Sequence, residues 1–192
     1  MCSPEEVIKT ARRMAELGLA VGGFGNLSCR RDGKILITPT SLDYFAMEPE
    51  DIVTLDLDGQ KLVGRREPST EFRLHLAIYR ARSDARAIVH THGIHALALS
   101  LTTDELPAIT EEMEHGVGGA VPVAPYAPAG SQELAERAVR ALEEKGRAVI
   151  LERHGVVGVG ADLDEALLIC QLVERNAQVY LLTKTIPSSP SA

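Results

Sequence analysis

A chain of 192 residues with 45% apolar and 24% charged side chains is long enough for one domain with a full core, and its composition is that of an ordinary globular protein. A formal net charge of −7, with no basic face to meet phosphates, excludes a general nucleic-acid binder. No apolar run approaches the roughly 20 residues of a membrane span, and the N-terminus MCSPEEVIKTARRM lacks an apolar signal core, so no membrane partner is expected and the cytoplasm is the expected location.

In chain order, Ser3-Pro4-Glu5-Glu6 is a capping box with proline at the first helical position, and Val7, Ala11, Met14 and Ala15 continue at helical spacing until Gly18. Gly22 to Ser28 is a glycine-rich turn that enters a strand, with Asn26 as a side-chain donor suited to an anion. Asp32-Gly33 marks a hairpin into a strand over 34–38, which Pro39-Thr40-Ser41 breaks. A strand over 52–57 turns at Asp58-Gly59 onto 60–63. These antiparallel pairs argue against a purely parallel sheet.

Pro68-Ser69-Thr70-Glu71 reads as a helix start, with Ser69 as N-cap and first-turn N–H groups that attract anions. The β-branched run at 87–89 leads into His90-Thr91-His92. Alternation along a strand sends His90 and His92 to one face and Thr91 to the other. After this unit come a short helix over 96–100, strands over 108–110 and 121–124, and a helix from Ser131 to about Lys145 ended by Gly146. A buried-looking strand over 148–151 runs to His154-Gly155, and the pattern resumes over 156–159. Asp162 then caps a long helix through Leu182. Residues 1–184 read as a single domain and 185–192 as a flexible polar tail. Helices alternating with strands predict an α/β fold: three layers, α/β/α, around a central mixed, largely antiparallel sheet. Cys2, Cys29 and Cys170, scattered and without a C-x-x-C motif, read as free structural thiols.

The chemistry concentrates in the middle. A His-x-His pair at a strand end is a chelating pair, and His154, closing a second apolar strand, supplies the third ligand that open catalytic metal sites commonly use. His95 lies beyond Gly93, off the alternation. His75 shares a helical face with Glu71 but has no partner motif, and His115 reads as a surface residue. An acidic residue in a first helical turn is favourable for its charge alone. Beside a metal and an anion pocket, however, Glu71 reads as a general base.

Gly25-Asn26-Leu27-Ser28, Ile37-Thr38-Pro39-Thr40-Ser41, Pro68-Ser69-Thr70-Glu71, Val89-His90-Thr91-His92, Ala124-Pro125-Tyr126 and Arg153-His154-Gly155 stand in the order found in class II sugar-phosphate aldolases. Nearly the whole chain resembles that family, in particular its L-fuculose-1-phosphate aldolase branch. The resemblance implies an α/β/α fold and a zinc ion on His90, His92 and His154, with manganese or cobalt as alternative occupants. It implies a phosphate pocket from Asn26, Thr40, Ser41, Ser69 and Thr70, with Glu71 as acid/base, in a C4 homotetramer with sites between subunits. The expected reaction is reversible cleavage of a ketose 1-phosphate to dihydroxyacetone phosphate and a short aldehyde. Methylthioribulose-1-phosphate dehydratase and pentulose-phosphate 4-epimerase chemistry use the same pocket, and a metal-free scaffold like the adducin head is the alternative of a different class. Family aldolases bring a tyrosine from a neighbouring subunit near Glu111-Glu112, where this chain has none, which leaves the group that protonates the aldehyde unassigned.

Overall fold

The computed structural model describes residues 2–186. Helix α1, Pro4–Glu16, opens as its capping box requires, with Ser3 Oγ accepting the Glu6 N–H at 3.3 Å. Strands β1, Asn26–Arg31, and β2, Lys34–Ile37, form the first hairpin, and β3, Val53–Leu55, and β4, Lys61–Val63, the second. The central unit is helix α2, Phe72–Ala81, followed by β5, Ala87–Thr91. Then come α3, Ile94–Leu99; β6, Glu105–Leu106; α4, Glu111–Gly116; β7, Val121–Ala124; and α5, Gln132–Leu142. Strands β8, Ala148–Leu151, and β9, Gly155–Gly160, precede the long helix α6, Leu163–Thr185. The expected tail is α6 as far as Thr185, and from residue 187 it lies outside the described residues.

The strands form one nine-stranded sheet in the order β4-β3-β2-β1-β5-β9-β8-β7-β6. Every neighbouring pair is antiparallel except β7 and β8. The sheet is therefore mixed and largely antiparallel, as the hairpin signals predict. Side-chain alternation splits the core in two. Val7, Met14, Ala87, Val89, Leu99, Met113, Ile169 and Val173 pack on the face covered by α1, α3, α4 and α6. Leu74, Ile78, Ile88, Leu134, Ala138, Val157 and Val159 pack on the face covered by α2 and α5. By the same alternation His90 turns towards α2 and Thr91 towards α6. This assignment positions the site.

Three expectations need correction. The run 108–110 is no strand. Thr110 instead caps α4, its Oγ1 accepting the Met113 N–H at 3.3 Å, and Glu111, Glu112 and Glu114 suit the positive end of that helix. Helix α2 begins at Phe72 with Glu71 as N-cap, not at Ser69. Pro68 pairs with Pro39 and the Ser69 N–H donates to Thr38 O at 3.0 Å, which holds Ser69 in the extended segment and moves the cap two residues on. Finally, Cys2 and Cys29 are not free. They form a disulfide with a Cα separation of 5.8 Å, because Cys29 faces the α1 side of β1 where the segment entering α1 crosses it. Cys170 is a free buried thiol, its pKa pushed up to about 12 by burial.

Helix α6 lies directly on the backbone of β9. A Cβ on Gly158 would stand 2.5 Å from Ala166 O and 2.8 Å from Cys170 Sγ. Gly158→Ala is therefore expected to overpack this contact and cost about 1–3 kcal/mol. Thermal unfolding should show a fall in Tm of several degrees; an unchanged Tm would mean that α6 can lift from the sheet at no cost.

Candidate active site

Four side chains converge at one end of the central strands. Glu71, His90, His92 and His154 place one ligand atom each within 4.8 Å of one another. Each arrives by a different local device. His90 is the penultimate residue of β5, and its Nδ1 lies 3.0 Å from Val156 O across the sheet. A carbonyl only accepts, so Nδ1 carries the proton and Nε2 faces the cluster. His92 lies just past β5, and its backbone N–H donates to Leu19 O at 2.7 Å. His154 sits in the tight turn between β8 and β9, not on a strand. The preceding Arg153 takes φ of 60°, and its N–H donates to Ser100 Oγ at 3.0 Å. A non-glycine residue held in that region is strain of the kind found at functional sites. Gly155 then permits the chain's return, because a Cβ there would meet Thr91 O at 2.1 Å.

The donor set fits a divalent cation. His90 Nε2 is 3.0 Å from His92 Nε2 and 3.3 Å from His154 Nε2. Two nitrogens roughly 2.0–2.1 Å from one ion at tetrahedral angles stand about 3.3–3.4 Å apart. Glu71 Oε2 is 3.2 Å from His90 Nε2, and Oε1 is 3.4 Å from His154 Nε2. Oε1 is also buried without any hydrogen-bond partner. A carboxylate oxygen left in that condition is costly unless a cation or ligand meets it.

Charge follows the same pattern. Burial first, then the neighbouring His90, lowers His92 to about 3 and His154 to about 4. Neutral imidazoles of this kind can coordinate a cation at neutral pH. Burial works against ionisation of Glu71, but the adjacent His90 outweighs it and holds the carboxyl well below the usual range. In turn Glu71 raises His90 against the opposing effect of burial.

A cavity of about 320 Å³ opens over this cluster, lined by Glu71, His92 and His154 at one end and by Thr40, Ser41, Ser69 and Thr70 together with the glycine turn at the other. The bridge between Pro39 and Pro68, with Thr40 N–H donating to Glu67 O at 3.1 Å, ties the two hydroxyl-bearing segments side by side. A larger, more open groove of about 620 Å³ lies between α1 and the segment at 47–49, away from this cluster. Asn26 lines the cavity over the cluster too, but its amide is not a free donor. Nδ2 donates to Glu71 Oε2 at 2.8 Å, and Oδ1 lies 2.6 Å from His75 Nε2. At most one N–H of that amide is left for a ligand.

His95 and His115 stand outside the cluster. His95 Nδ1 pairs with Glu174 at 2.7 Å, and His115 is largely exposed on α4. His75 is no ligand either, yet sequence reasoning missed its buried contacts with Asn26 and with Ser28 Oγ at 2.7 Å. The available signal was the spacing of Glu71, His75 and Tyr79 at successive intervals of four.

The family profile described as Class II Aldolase and Adducin N-terminal domain matches residues 5–181. An L-fuculose phosphate aldolase of Escherichia coli O6:H1 (strain CFT073) is 39% identical over 181 residues, covering 94% of this chain and 83% of that protein. A 5-deoxy-D-ribulose 1-phosphate aldolase of Bacillus thuringiensis serovar kurstaki is 36% identical over 184 residues, covering 95% and 85%. A solved L-fuculose 1-phosphate aldolase superposes with a TM-score of 0.91 at 36% identity, covering 96% of this chain and 87% of that one.

Removing one imidazole should open the cluster without unfolding the sheet. His92→Ala is expected to weaken cation binding by more than the roughly 10–100-fold typical of an outer contact, leaving the circular dichroism spectrum unchanged. Undiminished metal content by elemental analysis would exclude His92 as a ligand.

Proposed function

The chain belongs to the class II aldolase and adducin N-terminal domain family, and from that premise we propose that it reversibly cleaves a ketose 1-phosphate, of the L-fuculose 1-phosphate kind, to dihydroxyacetone phosphate and a short aldehyde. The observation that carries this reading is the intact cluster of three imidazoles and an ionised, half-satisfied carboxylate at the end of a hydroxyl-lined cavity. A non-catalytic scaffold has no use for such a cluster. Relatives bearing aldolase names support cleavage over dehydration or epimerisation.

His90, His92 and His154 are the residues we assign to a divalent cation, zinc in this reading. When bound, the cation supplies Lewis-acid stabilisation for negative charge developing on the ketose oxygens. The remaining work falls to side chains of the chain itself. In the synthetic direction Glu71 removes a proton from the carbon beside the carbonyl, and in cleavage it returns that proton to the same carbon. Thr40, Ser41, Ser69 and Thr70 hold the phosphate by hydroxyl donation, which fixes the reacting carbons against Glu71. Asn26 belongs to this pocket by position, with most of its amide already committed to Glu71 and His75. A C4 homotetramer, a single domain over 1–184 and a cytoplasmic location complete the reading. Exposed Val21 and Phe24 beside the cavity-lining glycines are consistent with a neighbour covering that edge, and no described helix is long and apolar enough to cross a membrane.

Two measurements test the assignment. Glu71→Gln preserves shape and removes the base, so metal should remain bound while kcat falls by roughly 10²–10⁴. Turnover near that of the parent would reduce Glu71 to its helix-terminus role. Ser41→Ala with Thr70→Val removes two hydroxyls from the exposed end of the cavity. Hydrogen bonds to a charged group are worth about 1.5–3 kcal/mol each, so kcat/KM for a phosphorylated ketose should fall at least about tenfold, with little change for its unphosphorylated counterpart. Equal losses on the two substrates would mean that these hydroxyls shape the loops and do not hold phosphate.

A further inference from the structure

Behind Glu71 lies a row of buried polar groups that the cleavage chemistry leaves unassigned. Register places Asn26 opposite His90 and Ser28 opposite Ile88, so both strand residues face α2. Glu71, His75 and Tyr79, four apart along the helix, face back at them. The contacts form one chain. Tyr79 Oη and Ser28 Oγ are 3.0 Å apart, Ser28 Oγ is 2.7 Å from His75 Nδ1, His75 Nε2 is 2.6 Å from Asn26 Oδ1, and Asn26 Nδ2 is 2.8 Å from Glu71 Oε2. Its direction is forced from one end. Asn26 Nδ2 donates to Glu71 Oε2, which leaves the amide oxygen facing His75. That oxygen only accepts, so His75 must carry its proton on Nε2 and accept from the Ser28 hydroxyl at Nδ1. Complete burial lowers His75 to about 3, in keeping with the neutral form this chain requires.

We propose that His75 is a positioning residue for proton transfer at Glu71: by fixing the orientation of Asn26 it holds Oε2 in place and reserves Oε1 for the substrate. The inference rests on the aldolase reading above. Oε1 is the oxygen without a hydrogen-bond partner, 3.4 Å from His154 Nε2, and in this inference it is the one that takes the proton. In the synthetic direction the C–H bond breaks, an O–H bond forms at Oε1, and the electron pair stays on carbon; cleavage reverses each of these changes. The contact with Glu71 takes the NH₂ end of the amide, and the imidazole N–H holds that orientation by engaging the other end. Without it the buried Oδ1 is unsatisfied and the amide is free to turn away.

The test compares His75→Leu, which abolishes the link, with His75→Gln, whose amide can still donate to Asn26 Oδ1. Cleavage of a ketose 1-phosphate, bound metal and thermal stability are measured for each. His75→Leu should lower kcat by about tenfold or more with KM and metal content within about twofold, and His75→Gln should recover most of the loss. In metal-free wild-type protein, long-range ¹H–¹⁵N correlation should show His75 neutral with its proton on Nε2. The inference is overturned by a proton on Nδ1, by unchanged kcat in His75→Leu, or by equal losses in both variants. If His75→Leu does not fold, His75→Asn, whose shorter amide falls short of Asn26, takes its place under the same criteria. A wild-type protein that binds a cation but cleaves no ketose 1-phosphate overturns the aldolase reading, and the tautomer, measured without substrate, still decides whether His75 orients Asn26.

Discussion

A carboxylate almost sealed from water is the constraint on which this architecture turns. An isolated buried anion costs several kcal/mol, and Glu71 is tolerable only because each neighbouring element answers part of its charge. Helix α2 contributes its positive end, since Glu71 is its N-cap. Strand β1 contributes the Asn26 amide, β5 contributes His90, and the turn between β8 and β9 contributes His154. Pulling any of these away leaves a charge that the interior cannot solvate. The arrangement is therefore a packing requirement as much as a chemical one.

Two periodicities meet to build it. Alternate residues of a strand are about 6.6–6.8 Å apart along its axis, and residues four apart on a helix are about 6 Å apart. A helix lying along a strand can therefore match every fourth residue to every second one. Asn26 and Ser28 on β1 meet Glu71, His75 and Tyr79 in this way. The antiparallel register of β1 with β5 then sets Asn26 beside His90, so the polar row on one side of Glu71 and the imidazoles on the other are fixed by the same pairing.

What could be read in advance follows from whether a signal is local. The hairpin signals at Asp32-Gly33 and Asp58-Gly59, the capping boxes at Ser3 and Asp162, and the His-x-His alternation are each contained within a few residues, and the structure bears out the elements they announce. The three-layer arrangement followed from the order of those elements. The N-cap of α2 shifted from Ser69 to Glu71 because a bridge to Pro39, nearly thirty residues earlier, holds Ser69 extended. Asn26 could be recognised as a cavity residue but not as the partner of Glu71 and His75, since periodicity names a face and not what lies across it. The Cys2–Cys29 bond escaped for the same reason: no spacing motif records that the start of α1 crosses β1.

That bond alters what the glycine turn can do. It closes a loop spanning 27 positions of sequence, which contains all of α1 and the Gly22-to-Gly25 wall of the cavity, and it fastens the far end three residues beyond Asn26. In the chain-entropy account a loop of that size removes about 3.5 kcal/mol of freedom from the unfolded chain. Disulfides persist in oxidising compartments and are uncommon in the reducing cytosol outside hyperthermophiles. Within a reducing cytoplasm, then, the chain would fold without that constraint, and the reduced molecule would be less stable than the oxidised one by a similar amount.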